Sequence, residues 1–208
     1  FEKININIKI KKILNIEKKD FKKKLLILDV PLNFTDPFKV PIKNKRNYLN
    51  KAFNIAIDLA KNKKIKGFIN CPINKNLINK NRIIGVTELL AEKSKIKKNS
   101  EVMLIYNKNL SVVPLTTHIN IKKVSQSIKV PLIKRKIDTL SKEFQRLFKR
   151  KPKIGVLGLN PHNSEMSKNS EEVLKIIPTL KTLKKRGLKI FGQLVADTIF
   201  IKDHKEYD

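Results

Sequence analysis

Tryptophan is absent from the 208-residue chain, aromatic residues of all kinds make up only 6% of it, and a single cysteine, Cys71, stands alone. One thiol excludes an internal disulfide and a thiolate zinc cluster, and it suits a reducing cytoplasm. Long apolar runs are missing too. None approaches the roughly 20 residues that a membrane-spanning helix requires, and the first residues lack the charged head and apolar core of a secretion signal. No Gly/Ser-rich or Pro-rich linker interrupts the chain, and no repeat recurs at solenoid spacing, so one domain over residues 1–208 is expected. The chain opens on Phe1 rather than methionine and is expected to be an internal piece of a longer protein.

Acidic residues are scarce as well: 18 stand against 47 lysines and arginines, a formal net charge of +29. Clustered cations bind nucleic-acid backbones by releasing counterions. Here only six of the basic residues are arginine (Arg46, Arg82, Arg135, Arg146, Arg150 and Arg186), the side chain that phosphate and base readout favours. The lysines are scattered, and aromatic rings for base stacking are few. Nucleic acid is therefore not the expected partner.

Alternation of Ile4, Ile6, Ile8 and Ile10 predicts a half-buried strand, and "KLLILDVPL" a second one ending at Pro31. Leu49, Ala52, Phe53, Ala56, Ile57 and Ala60 fall at helical spacing, so residues 47–62 should form an amphipathic helix feeding a strand "KGFIN". Pro72 behind that strand suits the first turn of a helix. "EVMLIY" and "LSVVPLT" read as a hairpin or neighbouring strands, and Leu132 to Phe148 as a long helix closed by Pro152. The run Ile154–Leu157 is a buried strand that breaks at once into Gly158, Asn160 and Pro161, all turn formers. "NSEEVLKIIPTLKTLKKRG" has acids first, bases last and Gly187 beyond, with Pro178 kinking or restarting it. A final strand precedes a turn carrying Asp197. Strands alternating with helices imply an α/β fold with a largely parallel sheet.

Polar motifs recur just past these strands: "NCPINK", "GVTE", "TTH", "GLNPH" and "VADT". In open α/β sheets ligands bind outside the carboxyl ends of strands, where distant residues converge. His118 and His162, on two such loops, could share one divalent metal. Each residue also has a plainer reading: a solvated histidine, Lys75 as surface charge, Thr87 as a helix cap, Asp197 as a turn former, Cys71 as a small buried hydrophobe. His204, in the polar "KDHKEYD", is expected to be exposed.

In this order the motifs resemble the 4-hydroxythreonine-4-phosphate dehydrogenase family of pyridoxal phosphate synthesis, from about Pro31 onward. "TTH", "GLNPH" followed by "EE" and "IIP", and "ADTIF" carry most of the likeness; "CPINK" corresponds to a Pro-x-x-Lys loop and "GVTE" to Gly-His-Thr-Glu. The resemblance implies an isocitrate- or isopropylmalate-dehydrogenase-like α/β/α sandwich, incomplete here, in a cytoplasmic homodimer whose subunits share active sites. It implies NAD as cofactor and a divalent metal (Zn, Mg or Co), with His118 and His162 as two of three ligands and the third beyond Asp208. It further implies that 4-phosphooxy-L-threonine is oxidised and then decarboxylated to 3-amino-2-oxopropyl phosphate. Lys75 and Asp197 are the candidate catalytic residues, and positions 86 and 87 bind substrate. The sequence departs from the pattern in three places: Val86 stands for a substrate-binding histidine, Ser164 for a usual glycine and Gln193 for a usual proline. Valine neither donates a hydrogen bond nor carries charge, which keeps open a related dehydrogenase acting on another phosphorylated or carboxylated hydroxy acid. A basic nucleic-acid-binding protein is the distant alternative.

Overall fold

The computed structural model describes residues 9–16, 24–78, 85–97, 100–201 and 203–208, Lys75 by its backbone alone. The chain forms two compact units, residues 1–94 and 95–208.

In the first unit, strands β1 (Ile10–Ile13) and β2 (Leu25–Leu28) pair in parallel, Ile10 opposite Leu25 and Ile13 opposite Leu28. Ile4, Ile6 and Ile8 of the expected alternating strand lie outside the described residues. Helix α1 (Ile42–Lys61) starts earlier than the apolar spacing indicated. Pro41 leads into it with φ already at −57°, near the value a helix needs. The first turn faces solvent, Ile42 included, so burial imposes no apolar repeat there. Phe53 and Ile57, four apart and therefore on one face, are buried, and Phe68 meets Phe53 edge-on at 6.3 Å. Helix α2 (Val86–Lys93) turns Leu89 inward. Lys93 Nζ donates to Asn54 Oδ1 at 2.8 Å and ties α2 to α1.

The expected strand "KGFIN" is not one: residues 67–74 have no regular structure, and Ile69 is fully exposed. β1 and β2 hydrogen-bond only to each other among the described residues, so the segment pairs with neither of their outer edges and lacks the partner that would make it a strand. Pro72 likewise opens no helix; the short 3-10 turn begins at Lys75 and ends at Leu77.

In the second unit, β3 (Ile105–Tyr106) and β4 (Ser111–Val112) form the expected hairpin, Ile105 opposite Val112. A short helix α3 (Val124–Ser127) precedes α4 (Val130–Phe148). Ile133, Ile137 and Phe144 are the apolar part of the buried face of α4, which also holds Lys136, each of the three contributing about 1.5–3 kcal/mol through burial. Strand β5 (Ile154–Leu157), helix α5 (Ile177–Lys185) and strand β6 (Ile190–Leu194) follow, with β5 and β6 parallel, Ile154 opposite Ile190. The core is Ile128, Ile133, Ile137, Ile176, Leu180, Leu183 and Ile190.

Pro178 acts as its chemistry dictates. Residues Glu172–Ile176 wind as a wide π-type turn, and α5 restarts at Ile177 with the proline in its first turn, where the missing N–H costs nothing. Gly187, at φ +80°, ends the helix in a conformation that penalises other residues. Among the described residues the strands form three separate two-stranded sheets and not one sheet; two of them, β1–β2 and β5–β6, are parallel, as the alternation of strands and helices implied.

A polar clasp joins β4 to β5. Asp208 N donates to Lys153 O at 3.0 Å, Ser111 N donates to Asp208 O at 2.9 Å, and Lys153 N donates to the Asp208 carboxylate at 2.8 Å. Arg150 closes on the same carboxylate with two N–H groups. Its hydrogen bond, against the opposing effect of burial and helped by Lys153, holds the Asp208 carboxyl below the usual range.

Candidate active site

After Leu157 the chain must double back on itself, and Gly158 makes that possible. A Cβ on Gly158 would lie 1.9 Å from Asn163 Oδ1, a distance no side chain tolerates. Asn160 then closes the turn by handing its hydrogen bonds to two glutamates. Glu172, fully buried at 0% exposure, accepts from Leu159 N and Asn160 N, both at 2.8 Å, and from Asn160 Nδ2 at 3.0 Å. Glu171 accepts from Asn160 Nδ2 at 3.3 Å and from the Ser125 hydroxyl. Burial by itself would raise the Glu172 pKa, yet the N–H groups of Asn160 and Leu159 outweigh it, and the carboxyl sits below its ordinary value. The Glu171 carboxyl is lowered chiefly by the Ser125 hydroxyl, with Asn160 and Lys175 adding to the effect.

Beyond Pro161 the backbone runs left-handed. His162, Asn163, Ser164, Glu165 and Met166 all have φ between 47° and 58°, each at a cost of about 1–2 kcal/mol for an L-residue. Such a turn survives only where its surroundings hold it. Asn163, buried, reaches Gln193 O on β6 at 3.4 Å, and Ser167 N donates to Ser164 O at 2.8 Å.

His162 emerges from this turn with its side chain 70% exposed. Its Nδ1 lies 4.0 Å from Asp197 Oδ2, and its backbone N–H approaches the same oxygen at 3.4 Å. Asp197 stands in the turn after β6. Neighbouring parallel strands deliver their following turns to one edge, which is how residues 35 apart meet. His118 occupies an exposed bend after β4, also left-handed at φ 52°. Thr116, two residues earlier, lines an apolar cavity of about 460 Å³ with Gly158 and Leu159. That cavity is bounded by Ile133, Ile137 and Phe144 and contains neither histidine of the pair.

The donors suit a divalent metal in kind. An imidazole whose Nδ1 faces a carboxylate leaves Nε2 available, the arrangement metal-binding histidines adopt. They do not suffice in number: among the described residues no three His, Cys, Asp or Glu side chains are grouped to hold an ion.

The remaining candidates belong to the first unit. Lys75 opens the 3-10 turn, its side chain outside the described residues. Arg46 of α1 donates to Asn76 O at 3.3 Å, bracing that turn beside a pocket of about 230 Å³ lined by Lys45, Tyr48 and Asn74. Val86 and Thr87 are the first two residues of α2, both half-buried. The capping residue is Gly85, without a side-chain bond, so Thr87 is not the cap. Cys71 is exposed rather than buried. His204 is half-buried, not exposed; its Nδ1 is out of water and has no hydrogen-bond partner among the described residues.

Sequence spacing did not single out Asn160, Asn163 and Glu172 as the frame of the His162 turn. The acids at 171 and 172 were legible as favourable charges at a helix start and as the "EE" of the motif behind "GLNPH", not as partners of Asn160. The signal was the pair itself, since an acid at a wholly buried position needs a partner.

The family model described as pyridoxal phosphate biosynthetic protein PdxA matches residues 2–208. Over 145 residues the chain is 42% identical to the 4-hydroxythreonine-4-phosphate dehydrogenase of Aquifex aeolicus (strain VF5), covering 68% of this chain and 45% of that protein. It is 33% identical over 151 residues to the D-threonate 4-phosphate dehydrogenase of Cupriavidus necator (strain ATCC 17699 / DSM 428 / KCTC 22496 / NCIMB 10442 / H16 / Stanier 337), covering 71% and 45%. The chain thus spans about half the length of these relatives. The crystal structure of 4-hydroxythreonine-4-phosphate dehydrogenase from Klebsiella pneumoniae superposes with a TM-score of 0.83 at 24% identity, covering 99% of this chain and 65% of that one. The fold is the α/β fold of those enzymes, and the chain belongs to the pyridoxal phosphate biosynthetic protein PdxA family.

Proposed function

We propose that this chain carries part of a cytoplasmic, homodimeric dehydrogenase of vitamin B6 synthesis, with active sites shared between subunits. NAD, when bound, would supply the hydride acceptor for the alcohol carbon of 4-phosphooxy-L-threonine, and loss of carbon dioxide from the oxidised β-keto acid would give 3-amino-2-oxopropyl phosphate. The observation that carries this reading is the meeting of His162 and Asp197 at the carboxyl edge of β5 and β6, within a chain matched to the family over residues 2–208. His162 and His118 would hold the divalent metal (Zn, Mg or Co), which supplies Lewis acidity toward the substrate oxygen. In this reading Asp197, exposed beside His162, takes the role of accepting the alcohol proton, and Lys75 that of stabilising negative charge on the substrate. Thr87 offers a hydroxyl to substrate at the start of α2.

NADH formation from 4-phosphooxy-L-threonine by the whole protein, with metal supplied, tests the reading. His118→Ala and His162→Ala should lose most turnover, and Asp197→Asn should lose about 10²–10⁴-fold. Val86 favours a second reading, in which the substrate is D-threonate 4-phosphate, as the name of the Cupriavidus relative states for that protein. Higher kcat/KM on that compound would select it; NADH from neither would sink both.

A further inference from the structure

We propose that Glu172 is a positioning residue for His162: a buried carboxylate that, through Asn160, holds the left-handed turn in the conformation that presents the imidazole. The inference rests on the metal-site reading above and deepens it. Glu172 touches neither histidine. Its carboxylate accepts from Leu159 N, Asn160 N and Asn160 Nδ2, the groups immediately before Pro161. Ionised carboxylates are costly to bury and persist where charge-assisted bonds repay that cost.

The turn itself explains the need. Five successive residues in left-handed conformation oppose the intrinsic preference of L-residues, so a free loop would unwind and carry His162 with it. Two clamps act on either side of His162. Asn160 is held by Glu171 and Glu172, while Asn163 is held against Gly158 and Gln193 O. Glu172 is the charged member that no water reaches. Glu172 opens the π-type winding that leads into α5, and Ile176 of that winding with Leu180 and Leu183 of α5 belong to the core. The path from core to imidazole is therefore short: α5, Glu172, Asn160, Pro161, His162.

The test is the affinity of the whole protein for Zn²⁺, measured by competition with a chromophoric chelator, alongside thermal unfolding and NADH turnover. Glu172→Gln should weaken Zn²⁺ binding by about 10–100-fold. Asn160→Ala keeps the negative charge and removes the side chain that both glutamates hold, so it separates positioning from simple attraction of a cation. It should weaken binding similarly, and it carries the comparison alone if Glu172→Gln does not fold. Asp208→Asn, which loosens the Arg150 clasp, should lower the melting temperature while leaving Zn²⁺ affinity at the parent's value. His162→Ala should lose binding outright. Parent-like affinity in Asn160→Ala, with His162→Ala defective, would overturn the positioning role alone. An equal loss in Asp208→Asn would reduce the effect to general instability and overturn it too. A His162→Ala protein that binds Zn²⁺ like the parent would overturn the metal reading itself.

Discussion

Ser164 is the best place to measure what the left-handed turn costs. Its φ of 51° and ψ of 35° lie close to the left-handed helical minimum, where a Cβ is penalised by about 1–2 kcal/mol and glycine is not. Glycine loses roughly 0.5–1 kcal/mol more backbone freedom on folding. The difference predicts that Ser164→Gly stabilises the protein by about 0.5–1 kcal/mol, or roughly 1–4 °C in melting temperature for a chain of this size. The bond that Ser164 makes, from Ser167 N to its backbone oxygen, survives the change. Ser164→Ala is the control: it keeps the Cβ and should gain nothing. Urea unfolding followed by circular dichroism gives all three stabilities. A glycine variant no more stable than the alanine variant would refute the account, because the strain would then not reside in the Cβ at this position.

Glu172, whose folded pKa lies below its unfolded one, contributes stability that is complete above the ordinary glutamate range and disappears as pH falls through the folded value. Unfolding measured between pH 7 and pH 3 should show a steeper acid loss in the parent than in Glu172→Gln; parallel curves would contradict the buried-acceptor geometry. Gly158→Ala should destabilise by about 1–3 kcal/mol or more through collision with Asn163, and a neutral effect on the melting temperature would mean the turn is wider than described. Val86→His should lower KM for 4-phosphooxy-L-threonine more than it changes kcat, and an unaltered KM would remove position 86 from the substrate site.

What was legible beforehand followed periodicity. The apolar faces of α1 and α4 and the short run of β5 announced themselves, because burial on one side imposes a repeat that sequence displays. "KGFIN" misled for the complementary reason: five residues with the right composition become a strand only if an edge accepts them, and composition does not record edges. His162 and Asp197 were legible as occupants of successive strand ends. The left-handed backbone between His162 and Met166 was not: Asn163 and the glycine that Ser164 replaces allow a positive φ, but histidine, glutamate and methionine beside them do not announce a run of five. Nor was the service of Glu172 to Asn160, which depends on how α5 is set against β5. His204 shows the same limit, since a polar neighbourhood in sequence gave no hint of the apolar cavity its ring lines.

The Asp208 clasp bears on the order in which the second unit is completed. Its partner Arg150 lies 58 residues upstream, and Ser111 lies further still. On a ribosome, the hairpin of β3 and β4, the α4 helix and the β5–α5–β6 crossover are all synthesised before the residue that fastens β4 to β5 exists. Local pieces can fold as they emerge, but the seam between them depends on a contact of long sequence separation, which is slow to close. Until Asp208 arrives, Ser111 N and the backbone N–H and C=O of Lys153 lack the partners the clasp gives them, and unpaired backbone groups at strand ends are surfaces through which nascent chains pair wrongly with one another. The dense positive charge of this chain gives such intermediates a mutual repulsion during that interval.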